Sequence, residues 1–402
     1  MIKKFFFVSQ VFYPDEVSTA GLFTDLCLEL GKSKVNVEVW CAQPSYTTFK
    51  RQKGKINYQG INITYVSSTN FNKDLLFGRL FNYLTFSLSL FFKLLFSKDK
   101  APVFTVTNPP FLGILISFIC KIKKRKFVYI VLDVYPDSII RLGKISDKHF
   151  ISILWKRLNR HVLKTASKIL VLGRDMIEWI KQTYPEALAR VEYLPHWHDE
   201  DLIKPMNYDK NSFVTELNLQ NKFVVQYSGN MGLWHDMRTF ARAAKELGDE
   251  DITFVFIGGG LRKKELFEEW NNEIPENCRI LPYQPKEKLG NSLTACHVAL
   301  ISLREKLEGM AVPSKLYGIL ASGVPLVAMV PEESEISFVV KEERCGYVIA
   351  PGNTDELKMR LTELKQNQNL RAEMGKNARK AFEQKYTTRI IAQKYIRILA
   401  DI

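Results

Sequence analysis

Short, densely apolar runs recur along this chain, and most are followed by a stretch of helical periodicity. One set lies at 4–8, 35–42, 61–66, 103–107, 127–131 and 169–172. A second lies at 223–228, 253–257, 279–281, 298–302, 326–329 and 346–348. A strand with one wet face alternates apolar and polar residues, whereas a run without strict alternation belongs to a sheet covered on both sides. With periodic segments such as 20–31 and 148–165 between them, these runs predict parallel sheets flanked by helices. Two sets predict two Rossmann-like, doubly wound α/β domains facing across a cleft. Ligands in such sheets bind outside the carboxyl ends of the strands.

Length agrees, since 402 residues exceed one ordinary core and suit two domains of roughly 200. The expected division is 1–200 and 201–385, with 194–211, rich in His, Asp, Pro and Asn, as linker. A C-terminal helix at 386–402 is expected to return to the first domain. Hydrophobic residues at 46% and charged residues at 25% are globular values. The net charge of +14 implies anionic partners. Six scattered cysteines without a CxxC pair suggest neither a zinc site nor a disulfide framework, and fit a reducing cytoplasm. The run Phe5-Phe6-Phe7-Val8 is too short for a signal-peptide core and reads as a first buried strand.

Two segments depart from the plain pattern. Residues 75–96 are crowded with Phe and Leu and flanked by Lys73, Lys98 and Lys100. Residues 111–120 are apolar and run into Lys121, Lys123, Lys124, Arg125 and Lys126. Neither has the roughly 20 uninterrupted apolar residues of a membrane-crossing helix. Apolar faces with cationic rims suit helices lying in an anionic membrane interface. The alternative is a pair of helices packed on the first sheet with their lysines wet. Nucleic acid is not expected, because stacking aromatics would interleave with Arg on strands or grooves.

Chemistry concentrates in the second half. Glu308-Gly309-Met310-Ala311 precedes Pro313-Ser314-Lys315, which opens an apolar helix that Gly323 closes. A helix start offers backbone N–H groups and partial positive charge to an anion such as diphosphate, and Lys315 adds a full charge. Ser228-Gly229-Asn230-Met231-Gly232 and Ile257-Gly258-Gly259-Gly260 end two strands in turns that an anion can approach closely. Neither has the spacing of a nicotinamide-dinucleotide fingerprint. In the first half, Ser18-Thr19-Ala20-Gly21 reads equally as phosphate contact or helix cap. Asp133, in Asp133-Val134-Tyr135-Pro136-Asp137, follows a buried strand and requires a partner, which a substrate hydroxyl can supply. His196 and His198 lack a third ligand at usual spacing, so no metal is expected.

Taken together and in order, these motifs resemble glycosyltransferase family 4, including its amino-deoxysugar transferases of O-antigen and capsule synthesis. The resemblance implies a GT-B fold, a nucleoside-diphosphate sugar donor on the second domain, an acceptor on the first, retention of anomeric configuration and no cofactor or required metal. By position, Glu308 corresponds to a carboxylate binding donor-sugar hydroxyls. Gly309, Met310 and Ala311 supply backbone N–H groups, Gly21 approaches the diphosphate, Gly229, Asn230, Gly232 and Gly259 line its loops, and Tyr283 lies near the base. The chain departs from the pattern at Gly318, where a ribose-binding glutamate is usual, and at Leu132, where a histidine precedes the aspartate. The usual Arg and Lys after the Gly-Asn-x-Gly loop are also displaced by Leu233-Trp234-His235-Asp236-Met237-Arg238.

Without that pair the diphosphate charge needs another cation, since charge-assisted bonds to phosphate are roughly twice as strong as neutral ones. Lys315 is the first candidate, with Ser314 at its helix start, and Arg304 and Lys306 stand behind it. The expected activity is sugar transfer from a nucleoside diphosphate, UDP by expectation, to a lipid-diphosphate-linked or saccharide acceptor. The expected place is the cytoplasmic face of the inner membrane, held peripherally. Asp133, Glu308 and Lys315 carry the chemistry in this reading. Alternatives are a nucleotide-sugar 2-epimerase of the same fold and a non-catalytic donor-binding protein.

Overall fold

Each apolar run expected to be a strand forms one, with ends moved by a residue or two. The computed structural model describes residues 4–44, 54–72, 75–248 and 251–402. Two compact units result, one of Met1–Pro195 with Thr388–Ile402 and one of His196–Thr387. The first contains β1 (Lys4–Val8), β2 (Asn36–Cys41), β3 (Gly54–Tyr58), β4 (Ile61–Tyr65), β5 (Val103–Val106), β6 (Phe127–Val131), β7 (Lys168–Val171) and β8 (Val191–Tyr193). They lie in the order β3-β4-β2-β1-β5-β6-β7-β8. All neighbours are parallel except β3, which pairs antiparallel with β4 at the edge. That edge strand carries Lys55 and Asn57 and stays largely wet, so it has no apolar signature to read.

Helices α1 (Ser18–Lys32), α2 (Leu76–Phe96), α3 (Leu112–Ile122), α4 (Asp137–Arg141), α5 (Phe150–Thr165) and α6 (Arg174–Thr183) follow within this unit. α1 buries Leu22, Phe23, Leu26 and Leu30, a helical spacing, and the Phe23 ring stacks on Phe7 at 4.8 Å. α2 buries Phe86, Leu90 and Leu94 along one side. Asn82, a polar residue inside this apolar helix, accepts from the Phe71 N–H and donates to the Phe71 carbonyl, both at 2.9 Å. It thereby pins the incoming segment to the helix. Lys73, one of the expected cationic flanks, lies outside the described residues.

The second unit contains β9 (Phe223–Ser228), β10 (Ile252–Ile257), β11 (Cys278–Leu281), β12 (Val298–Ser302), β13 (Leu326–Met329) and β14 (Gly346–Ile349). Their order is β11-β10-β9-β12-β13-β14, parallel throughout. Around them stand α7 (Ser212–Glu216), α8 (Arg238–Glu246), α9 (Lys264–Glu269), α10 (Leu289–Leu293), α11 (Lys315–Ser322), α12 (Glu335–Glu343), α13 (Thr354–Gln366) and α14 (Gln368–Lys385). The last helix, α15 (Thr388–Asp401), belongs to the first unit and packs on α1. It buries Ile391, Tyr395, Ile398 and Leu399, with the Tyr395 ring 6.1 Å from Phe104. All six cysteines are buried free thiols.

Candidate functional site

The second sheet changes winding direction between β9 and β12, and loops leaving such a switch point part to open a crevice at the strand ends. The loop after β9 is laced to the loop after β10. The Gly229 N–H donates to the Ile257 carbonyl at 2.9 Å, and the Met231 N–H to the Gly259 carbonyl at 2.7 Å. This close approach explains two of the glycines. At Gly258, φ 122°, a Cβ would stand 2.3 Å from the Gly229 oxygen; at Gly260, φ 131°, it would stand 2.4 Å from Asn230 Oδ1. Tyr283 is exposed, and its hydroxyl donates to the Gly259 carbonyl at 3.1 Å.

Lys315 reaches back from the first position of α11 into this loop. Its Nζ donates to the Tyr227 hydroxyl and, at 3.3 Å, to the Asn230 carbonyl. It also stands 3.9 Å from the Tyr227 ring centroid. These partners are neutral. Burial without a carboxylate lowers the Lys315 pKa to about 7. Tyr227 is fully buried and passes its own hydroxyl hydrogen to the Asn230 carbonyl at 2.8 Å. Burial, with Tyr283 nearby, holds the Tyr227 phenol well above its ordinary range, so it stays neutral. A poorly hydrated ammonium beside a glycine loop is an anion seeker.

The remaining loop residues fall around the same strand ends. Arg304 follows β12, and its N–H donates to the Trp234 carbonyl at 2.9 Å. His235 Nδ1 meets the Ser302 carbonyl at 2.6 Å. Burial, then the Lys315 charge, pushes the His235 pKa well down, so the ring is neutral and Nδ1–H is the donor. Gly309 adopts φ 72°, which turns the chain between half-buried Glu308 and fully buried Met310. The Met310 N–H, expected to serve the donor, bonds the Leu307 carbonyl at 3.2 Å within this turn. Gly232 lies within the loop after β9, and Ser314 occupies the N-cap position of α11 without a side-chain capping bond. A side chain at Gly318 would meet Leu293, His198 and Ile203, so this position belongs to interior packing.

In the first unit, the Leu132 and Asp133 N–H groups both donate to Thr107 Oγ1 at 3.1 Å, which fixes the chain beyond β6. Asp133 lines a cavity of about 30 Å³ with Thr107, Tyr129, Asn159 and Tyr184, room for about one water. Burial raises its pKa to about 6. Asp137 instead pairs with Lys156 at 3.2 Å. Gly21 is the fourth residue of α1, whose N-cap position is Val17, without a side-chain capping bond, rather than Ser18. A Cβ at Gly21 would meet nothing within 4 Å, so the protein's own packing does not require glycine there.

Residues 209–381 match the family model of glycosyl transferases group 1. That segment is similar to group 1 glycosyl transferases. WbjE, a probable glycosyltransferase of Pseudomonas aeruginosa, is 25% identical over 73% of this chain and 72% of its own length. WcaI of Escherichia coli K12, assigned to colanic acid biosynthesis as a glycosyl transferase, is 24% identical over 61% of each chain. Among solved structures, HepE of Anabaena in complex with UDP and glucose superposes with TM-score 0.73 at 15% identity, each chain covered in full. The two parallel-sheet α/β units bear out the expected GT-B fold, and the match at residues 209–381 together with the curated relatives bears out the resemblance to glycosyltransferases.

Within residues 209–381, sequence motifs located Lys315, Asn230 and the glycine loops but missed two residues that organise them. Tyr227 reads as an ordinary strand aromatic, although its place two residues before Gly229 puts its hydroxyl under the loop. His235 reads only as part of the segment that replaces the usual Arg and Lys, yet it is a neutral brace between the loop after β9 and the end of β12.

Proposed function

We propose that this protein is a retaining transferase that moves a sugar from a nucleoside-diphosphate donor, UDP by preference, to a lipid-diphosphate-linked or saccharide acceptor in cell-surface polysaccharide synthesis. The observation that carries this reading is the Lys315 ammonium, held against Asn230 and Tyr227, both neutral partners, among the described residues. A diphosphate supplies the negative charge that this cation lacks. Relatives named for glycosyl transfer and colanic acid biosynthesis support the substrate class.

In the proposed reaction the acceptor hydroxyl oxygen attacks the anomeric carbon on the face from which the diphosphate departs. The carbon–oxygen bond to phosphate breaks with its electron pair staying on the diphosphate, and the hydroxyl proton passes to that leaving oxygen. Lys315 and the N-terminus of α11 stabilise the departing charge, the largest single contribution such a site can make. Glu308 accepts donor-sugar hydroxyls, and Asp133 orients a substrate hydroxyl. No protein nucleophile and no metal is required.

The test is a thermal-shift panel of nucleoside-diphosphate sugars, followed by product analysis with and without acceptor. A ligand at a hundred times its Kd stabilises its folded target by about 2.7 kcal/mol, so a UDP-sugar should raise Tm visibly. Donor turnover to an epimer without acceptor would overturn the transferase reading. Binding without any transfer to membrane acceptors would leave only a donor-binding protein.

A further inference from the structure

The helix α2 is apolar on two sides. One side is buried, but Phe77, Leu80, Leu84, Leu88, Phe92 and Phe96 form an exposed stripe at helical spacing, with Phe77 and Phe96 each 76% exposed. α3 packs against both α2 and α5. It leaves Phe111, Phe118 and Ile122 exposed on one edge, and Phe111 meets Trp155 of α5 at 4.3 Å. The first turns of α5 add Phe150, 70% exposed, with Ile151, Ile153 and Leu154. Sequence patterns had pointed to α2 and α3; the α5 contribution emerges only in three dimensions. A water-soluble surface rarely leaves so much contiguous apolar area bare.

The charge on these three helices has one sign, with nearby Asp147 paired with Lys156 and Glu186 paired with Arg160 at 3.0 Å. α2, α3 and α5 contain no Asp or Glu, in a chain that has 43 of them. They carry Arg79, Lys93, Lys121, Lys156, Arg157, Arg160 and Lys164, and exposed Lys124 and Lys126 follow α3. A second copy of the chain docking here would bring like charges together, which disfavours self-association. A peptide helix would fill one groove and leave the remaining helix surfaces uncovered. Apolar side chains that enter the acyl boundary, rimmed by cations at headgroup level, match an anionic bilayer. Among the described residues no helix is long and apolar enough to cross a membrane.

We propose that α2, the exposed edge of α3 and the first turns of α5 form one docking face for an anionic lipid bilayer. This deepens the lipid-linked acceptor reading, on which it rests for its purpose but not for its test. The face borders the Asp133 segment: Tyr135 lies within electrostatic reach of Arg79 and Tyr83 of α2, and Trp155 stacks near Tyr135 at 6.0 Å. Docking therefore brings Asp133 to headgroup level, where the sugar of a lipid-linked acceptor is displayed.

Vesicle co-sedimentation of the full chain tests this, with phosphatidylcholine alone against phosphatidylcholine mixed with phosphatidylglycerol, at low and high salt. The wild type should partition to the anionic vesicles and be released by salt. Phe150→Ser with Leu154→Ser, and separately Phe77→Ser with Leu84→Ser, should each weaken partition by about fivefold or more. Lys121→Glu with Lys124→Glu should do the same, because each cation near an anionic surface contributes attraction. All six side chains are exposed, and the UDP-induced thermal shift should stay at the wild-type value in every variant. Wild-type partition equal to that of the variants, or equal on neutral vesicles, overturns the proposal, as does a dimer that the same variants dissociate. Lost partition with an intact UDP shift leaves the donor reading standing. Intact partition with no UDP shift removes the donor reading and leaves the face.

Discussion

A lysine that holds its proton weakly decides most of the residue-scale chemistry. Lys315 has a pKa near 7 because its neutral surroundings do not repay lost hydration. On the proposed reading a diphosphate bound there would raise it again, so donor binding above neutral pH would be coupled to proton uptake. UDP affinity should be flat below pH 7 and fall by up to about tenfold per unit above it, readable by titration calorimetry in two buffers. Lys315→Ala should remove this pH dependence and cut turnover by about 10²–10³, with the fold intact. Near-normal turnover would take Lys315 out of the site. Asp133 has the opposite sign. Its pKa of about 6 exceeds the ordinary 3.8, so the native state binds more protons between these values and stability falls as pH rises through that window. Asp133→Asn should therefore stabilise the protein at pH 7, on the order of 2 kcal/mol, while lowering turnover and sparing the UDP thermal shift. An unchanged turnover would make Asp133 a structural residue only.

Secondary-structure elements present these side chains, and glycine decides how closely they approach. Gly21 sits inside α1 with open space where a Cβ would be. Gly21→Ala should raise stability by roughly 0.5–1 kcal/mol, as in any helix interior, and calorimetry would show it. A drop in turnover despite that gain would identify the empty space as substrate room; unchanged turnover would remove Gly21 from the donor set. Gly258 is the contrasting case, because its φ of 122° and the 2.3 Å approach to the Gly229 carbonyl leave no room. Gly258→Ala should cost about 1–3 kcal/mol from backbone strain alone and weaken UDP binding by moving the loop. The edge strand β3 and short β8 were not legible in sequence, since a wet edge strand need not be apolar and three residues make no pattern. Gly318 shows the same limit: a missing glutamate was visible, but only packing reveals that its place faces His198 and Leu293.

At the scale of the whole molecule, the chain ends by returning to the unit where it began. α15 covers α1 with Ile391, Tyr395, Ile398 and Leu399, while residues 196–387 complete the second unit without it. Truncation after Thr387 should uncover α1 and lower or abolish the first unit's thermal transition, since several large side chains lose their burial. The second unit should keep its transition and its shift with UDP. Loss of both transitions together would mean that the units do not unfold independently.

Local order was determined by the sequence alone: which runs are strands, which loops hold glycines, and where a cation stands at a helix start. Those properties depend on neighbours a few residues away, through side-chain periodicity and backbone freedom. Tertiary structure decided which distant residues share a site. It set Tyr227 beneath Lys315, made His235 a neutral brace, placed half-buried Asp133 beside a one-water cavity and joined α5 to the apolar face of α2 and α3. Desolvation and charge act through space, so a pKa near 7 or a bare apolar face exists only after folding brings its parts together.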